Sequence, residues 1–262
     1  MNIAIIGGGN LGTAIAEGLI KSQFAQPAEI TVTKRNTASL KGWNVHGVQI
    51  LSNNAEAVKN SQLIILAVKP YQIAAVLEGL RNVLTEQHIV VSVITGVSIA
   101  DLREMIQTEL PLFRAMPNTA IAIQESITCI SYEGASEEQV TYVTEMFNNI
   151  GKVAIIDEKL MNAATVLGAC GTAYAMRYIR ANIQGGIEIG FDAKTASLIA
   201  AQTVKGAAEL LLKNGSHPEQ EIDKVTTPKG CTIVGLNEME HQGFSSSLIR
   251  GVITSYKKIL ED

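Results

Sequence analysis

Six residues near the start, Gly7-Gly8-Gly9-Asn10-Leu11-Gly12, limit the fold more than any other stretch of the chain. They fit G-x-G-x-x-G. Before them, Ile3-Ala4-Ile5-Ile6 carries no charge and reads as a strand buried on both faces. After them, Leu11, Ile15, Leu19 and Ile20 keep helical spacing. Strand, glycine turn and helix together form the context in which this motif binds a dinucleotide. Gly7 permits the tight turn, Gly9 lets backbone approach a pyrophosphate, and Gly12 lets helix and strand pack closely. The N–H groups of Asn10 and Leu11, at the helix start, then face the phosphates. A glycine-rich turn in some other α/β protein is the alternative.

The next strand, Glu29–Thr33, ends in Thr33-Lys34-Arg35-Asn36. An NAD-selective fold places Asp or Glu here for the ribose 2′-OH. Lys34 and Arg35 instead suit a 2′-phosphate, which Arg bonds in a fork. The expected cofactor is therefore NADPH, with NADH possible. Two solvated surface charges are the competing explanation. Ala38–Trp43 reads as a short helix, 48–50 as a strand and 55–60 as a helix. Leu63–Val68 is a continuous apolar run, as a central parallel strand should be. Lys69-Pro70 stops it, so Ala67, Val68, Lys69 and Pro70 should line the cofactor at the carboxyl end of the strand. Further strands are expected at 89–93, 127–131 and 153–156, with an edge segment at Phe113–Met116. Helices are expected at 71–80, at 137–149, and at Ile99–Ile106 behind Ser98 as N-cap.

After Asp157 no good strand follows. Residues 159–183 are apolar on several faces, which suits a bundle or an interface. Gly185-Gly186 should interrupt that helix. Ala193, Ala196, Ala200, Val204, Ala207 and Leu211 mark the next, ended by Asn214-Gly215. A terminal helix should follow a cap at Ser245 or Ser246. The chain thus divides into a Rossmann-like α/β dinucleotide domain, 1–158, and an all-α domain, 159–262.

One stretch of the helical half is polar: Val225-Thr226-Thr227-Pro228-Lys229-Gly230-Cys231-Thr232-Ile233. Unpaired N–H groups of Gly230, Cys231 and Thr232 at a helix start would form an anion site suited to a carboxylate. An ordinary interhelical turn would look the same. The net charge of −4 and the lack of a basic cluster argue against nucleic acid or a membrane surface as partner. Nothing approaches the roughly 18 apolar residues of a membrane span, and no basic n-region precedes Lys21. Three widely spaced cysteines, Cys129, Cys170 and Cys231, fit a reducing cytosol. His46, His88, His217 and His241 show no metal-ligand spacing, so no metal site is expected.

Gly7–Gly12, Ala67-Val68-Lys69-Pro70, Arg114-Ala115-Met116-Pro117-Asn118-Thr119 and Val225–Ile233 occur in the order seen in pyrroline-5-carboxylate reductases. The chain resembles that family along nearly its whole length, and the last piece is the specific one. The resemblance implies reduction of L-pyrroline-5-carboxylate to L-proline, the last step of proline biosynthesis. It implies a small-molecule substrate and pairing of two chains, or a higher homo-oligomer, through the helical domain. It implies cofactor contacts at Gly7, Gly9, Asn10, Leu11, Gly12, Thr33, Lys34, Arg35, Asn54, Ala67, Val68, Lys69 and Pro70. It places the carboxylate at Gly230, Cys231 and Thr232, with the Thr232 hydroxyl on the ring nitrogen, and Glu158 near the substrate. Glu158 reads equally as a surface acid opening a helix, and Cys231 as a small buried filler or a reactive thiol.

Three positions depart from the family pattern. The usual Gly-Gly is Lys229-Gly230, the usual Pro before Ala-Tyr is Thr172, and the Pro after Asn-Thr is Ala120. Two rival readings share the cofactor domain. One is a reductase of the same design acting on another imine or a β-hydroxyacid, for which Lys159, Lys194 and Lys205 are available. The other is a non-catalytic nucleotide-binding relative.

Overall fold

The structure is a computed structural model and describes residues 1–40 and 47–261. The helix expected at Ala38–Trp43 falls partly outside them, as does His46. The N-terminal unit holds one eight-stranded sheet in the order β3-β2-β1-β4-β5-β6-β7-β8. The strands are β1 (Ile3–Ile6), β2 (Ile30–Thr33), β3 (Gln49–Leu51), β4 (Leu63–Leu66), β5 (Ile89–Ser92), β6 (Leu112–Met116), β7 (Ser126–Glu133) and β8 (Gly151–Ile155). The order β3-β2-β1-β4-β5-β6 is that of a doubly wound dinucleotide fold. All of these neighbours are parallel.

β1 shows why both faces must be covered. Ile3 and Ile5 join one apolar cluster, with Ile15 and Leu19 of α1 (Asn10–Lys21). Ala4 and Ile6 join the other, with α2 (Asn54–Lys59), α3 (Ile73–Glu78) and α4 (Ile99–Ile106). Each fully buried isoleucine contributes about 1.5–3 kcal/mol, so β1 is a major anchor of the sheet. Ser98 caps α4 by accepting the Asp101 N–H, and Asp101 returns a bond to the Ser98 N–H. This capping box fixes the helix start where the sequence puts it.

Phe113–Met116 is not an edge. β6 lies between β5 and β7, and it is buried throughout. The connection from β6 to β7 contains only a short 3-10 turn, Thr119–Ile123. It is too short for a parallel crossover, so β7 returns antiparallel on the far side of β6. α5 (Glu137–Asn148) then supplies the crossover that makes β8 parallel to β7.

Residues 1–169 with 259–262 form one compact unit, and 170–258 form another. The first therefore runs past residue 158, through α6 (Met161–Ala164) and all but the last residue of a π-helical segment, Thr165–Cys170. The second contains α7 (Gly171–Glu188), α8 (Ala193–Asn214), α9 (Pro218–Lys224), α10 (Cys231–His241) and most of α11 (Phe244–Glu261). Gly185-Gly186 does not interrupt α7. A Cβ on Gly186 would sit 3.2 Å from the Ala196 Cβ, so the missing side chain serves contact with α8. Gly215 ends α8 in the left-handed conformation at φ +63°. Ser245 and Ser246 do not cap α11; they lie inside its first turn, bonded to Glu240 and to the Gly243 carbonyl. Among the described residues, no helix is long and apolar enough to cross a membrane.

Candidate cofactor and substrate sites

The glycine turn is built by backbone contacts. Gly7 and Gly8 both donate N–H bonds to the Thr33 carbonyl, at 3.2 and 2.7 Å, and Ala67 N–H donates to Ile6 at 2.8 Å. Gly7 has φ +118°, and a Cβ on it would stand 2.5 Å from the Ala67 oxygen. A Cβ on Gly12 would overlap the Gly7 oxygen, whereas one on Gly9 would meet nothing within 4 Å. Thus Gly7 and Gly12 lack side chains because protein backbone is close. Gly9 opens space at the N-cap of α1. No acidic residue occupies the first turn of α1. Its positive end is left for an anion, so the cradle fits a dinucleotide pyrophosphate. Gly8 is also crowded, but by side chains: its Cβ would fall 2.7 Å from Leu40 Cδ1, a contact that movement of the leucine can relieve.

The other expected cofactor residues surround the carboxyl ends of β2 and β4. Thr33 is 1% exposed, so it shapes the turn through its carbonyl. Lys34 is half-buried and its N–H donates to Leu51, while Arg35 is exposed. Asn54 opens α2, whose cap is Asn53. Ala67 and Val68 are half-buried; Lys69 and Pro70 are exposed. β4 ends at Leu66, short of the Val68 expected, so Pro70 does not stop the strand; it begins a 3-10 turn to Gln72.

A second group lies around Arg114, near the middle of β6. The guanidinium NH1 donates to Glu158 Oε1 at 3.3 Å, and NH2 to Asn162 Oδ1 at 3.3 Å. The same Glu158 oxygen accepts the Ile99 N–H at 2.6 Å. Glu158, expected near the substrate, thus has one oxygen committed to a helix start and a buried cation. The Ser98 hydroxyl, then its N–H, hold the Asp101 carboxyl below the usual carboxylate range, and the Arg114 charge adds to this. That cap stabilises the fold above the ordinary carboxylate pKa and is lost as pH falls through the lower folded value. Asn118 ties two further segments: its Nδ2 donates to the Gly168 carbonyl at 3.2 Å, and its N–H to Ser126 Oγ at 3.1 Å. The sequence signal for this group was a charge in an otherwise apolar strand.

In the helical unit, Gly230 is the N-cap of α10 and Cys231 and Thr232 are its first residues. The Gly230 N–H is not available to a ligand as expected. It donates to the Thr227 carbonyl at 2.9 Å, closing a turn. Cys231 and Thr232 have no intrahelical acceptor at these positions. Cys231 is exposed, not a buried filler. Lys229 sits at φ +60°, where a side chain costs about 1–2 kcal/mol. Lys229→Gly should therefore raise unfolding free energy by roughly 0.5–1 kcal/mol, after the extra chain entropy of glycine. Urea titration checks this, and a loss of stability would mean that the lysine side chain makes a stabilising contact. Among the described residues, no group of three or more His, Cys, Asp or Glu could hold a metal ion.

Residues 158–262 match the family model described as pyrroline-5-carboxylate reductase dimerisation, and 2–96 that of coenzyme F420-dependent NADP oxidoreductase. Pyrroline-5-carboxylate reductase 2 of Dictyostelium discoideum is 44% identical over 98% of this chain and 91% of its own length. Pyrroline-5-carboxylate reductase 1 of the same organism is also 44% identical over 98% of the chain, which spans only 49% of that relative. The crystal structure of Plasmodium falciparum pyrroline carboxylate reductase with NADP bound is 25% identical, with TM-score 0.90 over 99% of this chain and 97% of its own. A pyrroline-5-carboxylate reductase structure from Coxiella burnetii is 28% identical, with TM-score 0.91 over the same shares.

Proposed function

The chain belongs to the pyrroline-5-carboxylate reductase family, and on that premise we propose that it reduces L-pyrroline-5-carboxylate to L-proline with NAD(P)H, completing proline biosynthesis in the cytoplasm. The observation that carries this reading is 44% identity over 98% of the chain and 91% of a reductase. The bound nicotinamide supplies a hydride, and a protonated cyclic imine is already electrophilic. The chain's own task is to hold, orient and exclude water. The glycine turn and the start of α1 hold the pyrophosphate. Thr33 and Asn54 border the adenosine end, and Ala67 to Pro70 line the cofactor beyond β4. The Cys231 and Thr232 N–H groups bind the substrate carboxylate, with Gly230 shaping their turn. The Thr232 hydroxyl bonds the ring nitrogen and relays its proton.

Lys34 and Arg35 receive the 2′-phosphate. Arg35→Ala should weaken NADPH binding by about 1.5–3 kcal/mol, one charge-assisted hydrogen bond, and leave NADH nearly unchanged. Fluorescence titration with both cofactors measures this, and equal losses would remove Arg35 from the phosphate.

The working unit is a homodimer formed through residues 159–262, with 1–158 as the dinucleotide domain. The match of the dimerisation family to 158–262 supports that division. So does the apolar surface of the second unit, where Leu198, Leu212 and Ile249 are 70%, 76% and 58% exposed. Sedimentation at micromolar concentration should show at least a dimer, and a clean monomer contradicts it. The reaction itself is tested by loss of NADPH absorbance with racemic pyrroline-5-carboxylate. Turnover with a β-hydroxyacid and NADP⁺ instead would favour the rival reductase.

A further inference from the structure

Arg114 is 5% exposed, and its Nε has no hydrogen-bond partner among the described residues. Burying such a cation is costly, its carboxylate partner is only half-buried, with 31% of its side chain exposed, and apolar pairs are often equally stable or more so in place of a buried ion pair. Stability alone therefore does not account for the Arg114–Glu158 pair. Nor does α4 lack a cap, because Ser98 and Asp101 already supply one. What Glu158 adds is a long-range bond to the first residue of that helix, Ile99, from 59 positions further along the chain.

The loop held by this bond follows β5. Val93, Ile94 and Val97 are buried, while its tip, Thr95-Gly96, is exposed, with Gly96 at φ +79°. Ligands of doubly wound sheets lie beyond the carboxyl ends of the strands. β5 lies beside β4, and β4 beside β1 with its glycine turn. We infer that Glu158 is a positioning residue for the cofactor. Held by Arg114, which Asn162 braces in turn, its Oε1 fixes the start of α4 by accepting the Ile99 N–H, and this sets the Thr95-Gly96 tip against the nicotinamide half of the dinucleotide. This assignment rests on the NAD(P)H reading above. It gives Glu158 a task at the β5–α4 loop in place of a direct substrate contact.

Two variants separate positioning from stability. Glu158→Gln keeps an oxygen for the Ile99 N–H but removes the charge that neutralises Arg114. The double variant Arg114→Met/Glu158→Met removes both charges together with the acceptor. Thermal midpoint and NADPH affinity, the latter by fluorescence titration well below the midpoint, are measured for each. Glu158→Gln should melt earlier than the parent yet bind NADPH within about threefold of it. The double variant should melt at or above the Gln variant yet bind NADPH about tenfold more weakly. A double variant that binds NADPH like the parent overturns the inference. So does a Gln variant that loses affinity about tenfold, which decides the matter even if the double variant does not fold. A parent that binds NADPH but makes no proline contradicts the proposed reaction and leaves this inference standing. A parent that does not bind NADPH contradicts the cofactor reading itself.

Discussion

Thr232→Ala should lower kcat/KM for the cyclic imine by about 10²-fold and leave NADPH affinity within about twofold. The hydroxyl lies at the second residue of α10, half-buried, beside the Cys231 and Thr232 N–H groups assigned to the carboxylate. The carboxylate-bearing carbon of the substrate is bonded to the ring nitrogen. A carboxylate fixed at the helix start therefore brings that nitrogen within reach of Thr232. As the imine is reduced, the nitrogen becomes an amine and its hydrogen-bonding demand rises. A hydroxyl that can both donate and accept follows that change. General acid–base assistance spans roughly 10²–10⁴, and a substrate that arrives protonated draws on the low end. Thr232→Ser keeps the hydroxyl and should retain most activity. If Ala and Ser variants both match the parent, Thr232 is only part of a helix start.

Gly7→Ala should lose about 2–4 kcal/mol of stability, and the folded fraction should bind NADPH at least tenfold more weakly. Two causes act at once. The backbone is at φ +118°, and the new Cβ would press on the Ala67 oxygen. That oxygen belongs to the segment leaving β4, so relief must open the turn between β1 and β4 where the pyrophosphate is held. Gly9→Ala is the contrasting variant. Its backbone has φ −86° and its Cβ would meet nothing within 4 Å. It should cost less than about 1 kcal/mol in stability while weakening NADPH. Urea unfolding and cofactor titration report the two quantities separately. A Gly9→Ala protein that binds NADPH normally would remove Gly9 from the phosphate contact.

Features governed by neighbours in sequence were legible without coordinates. The start of α4 at Ile99 follows from Ser98 and Asp101 three residues apart, and the end of α8 follows from Gly215. β1 and β4 announce themselves as uncharged apolar runs because both faces of a parallel strand are covered. The errors arose where distant residues decide. β6 resembled an edge because its pairing with β7 depends on a chain reversal beyond it. Gly185-Gly186 resembled a helix break because the gain from close approach to Ala196 lies on another helix. The Glu158–Ile99 and Glu158–Arg114 bonds join residues 59 and 44 positions apart, and no local pattern encodes them. At the candidate substrate turn, the residue types were readable but the bonding was not. Lys229 adopts a left-handed backbone, and the Gly230 N–H closes on Thr227 instead of pointing to a ligand.

Hydride delivery to the imine carbon is the central claim, and isotope transfer tests it most directly. The protein is incubated with racemic pyrroline-5-carboxylate and NADPH carrying deuterium at the transferable C4 position, and the product is read by chiral separation and mass spectrometry. The account predicts L-proline with one deuterium at Cδ, formed in step with NADPH oxidation. Unlabelled proline, or cofactor bound without any proline formed, would contradict it.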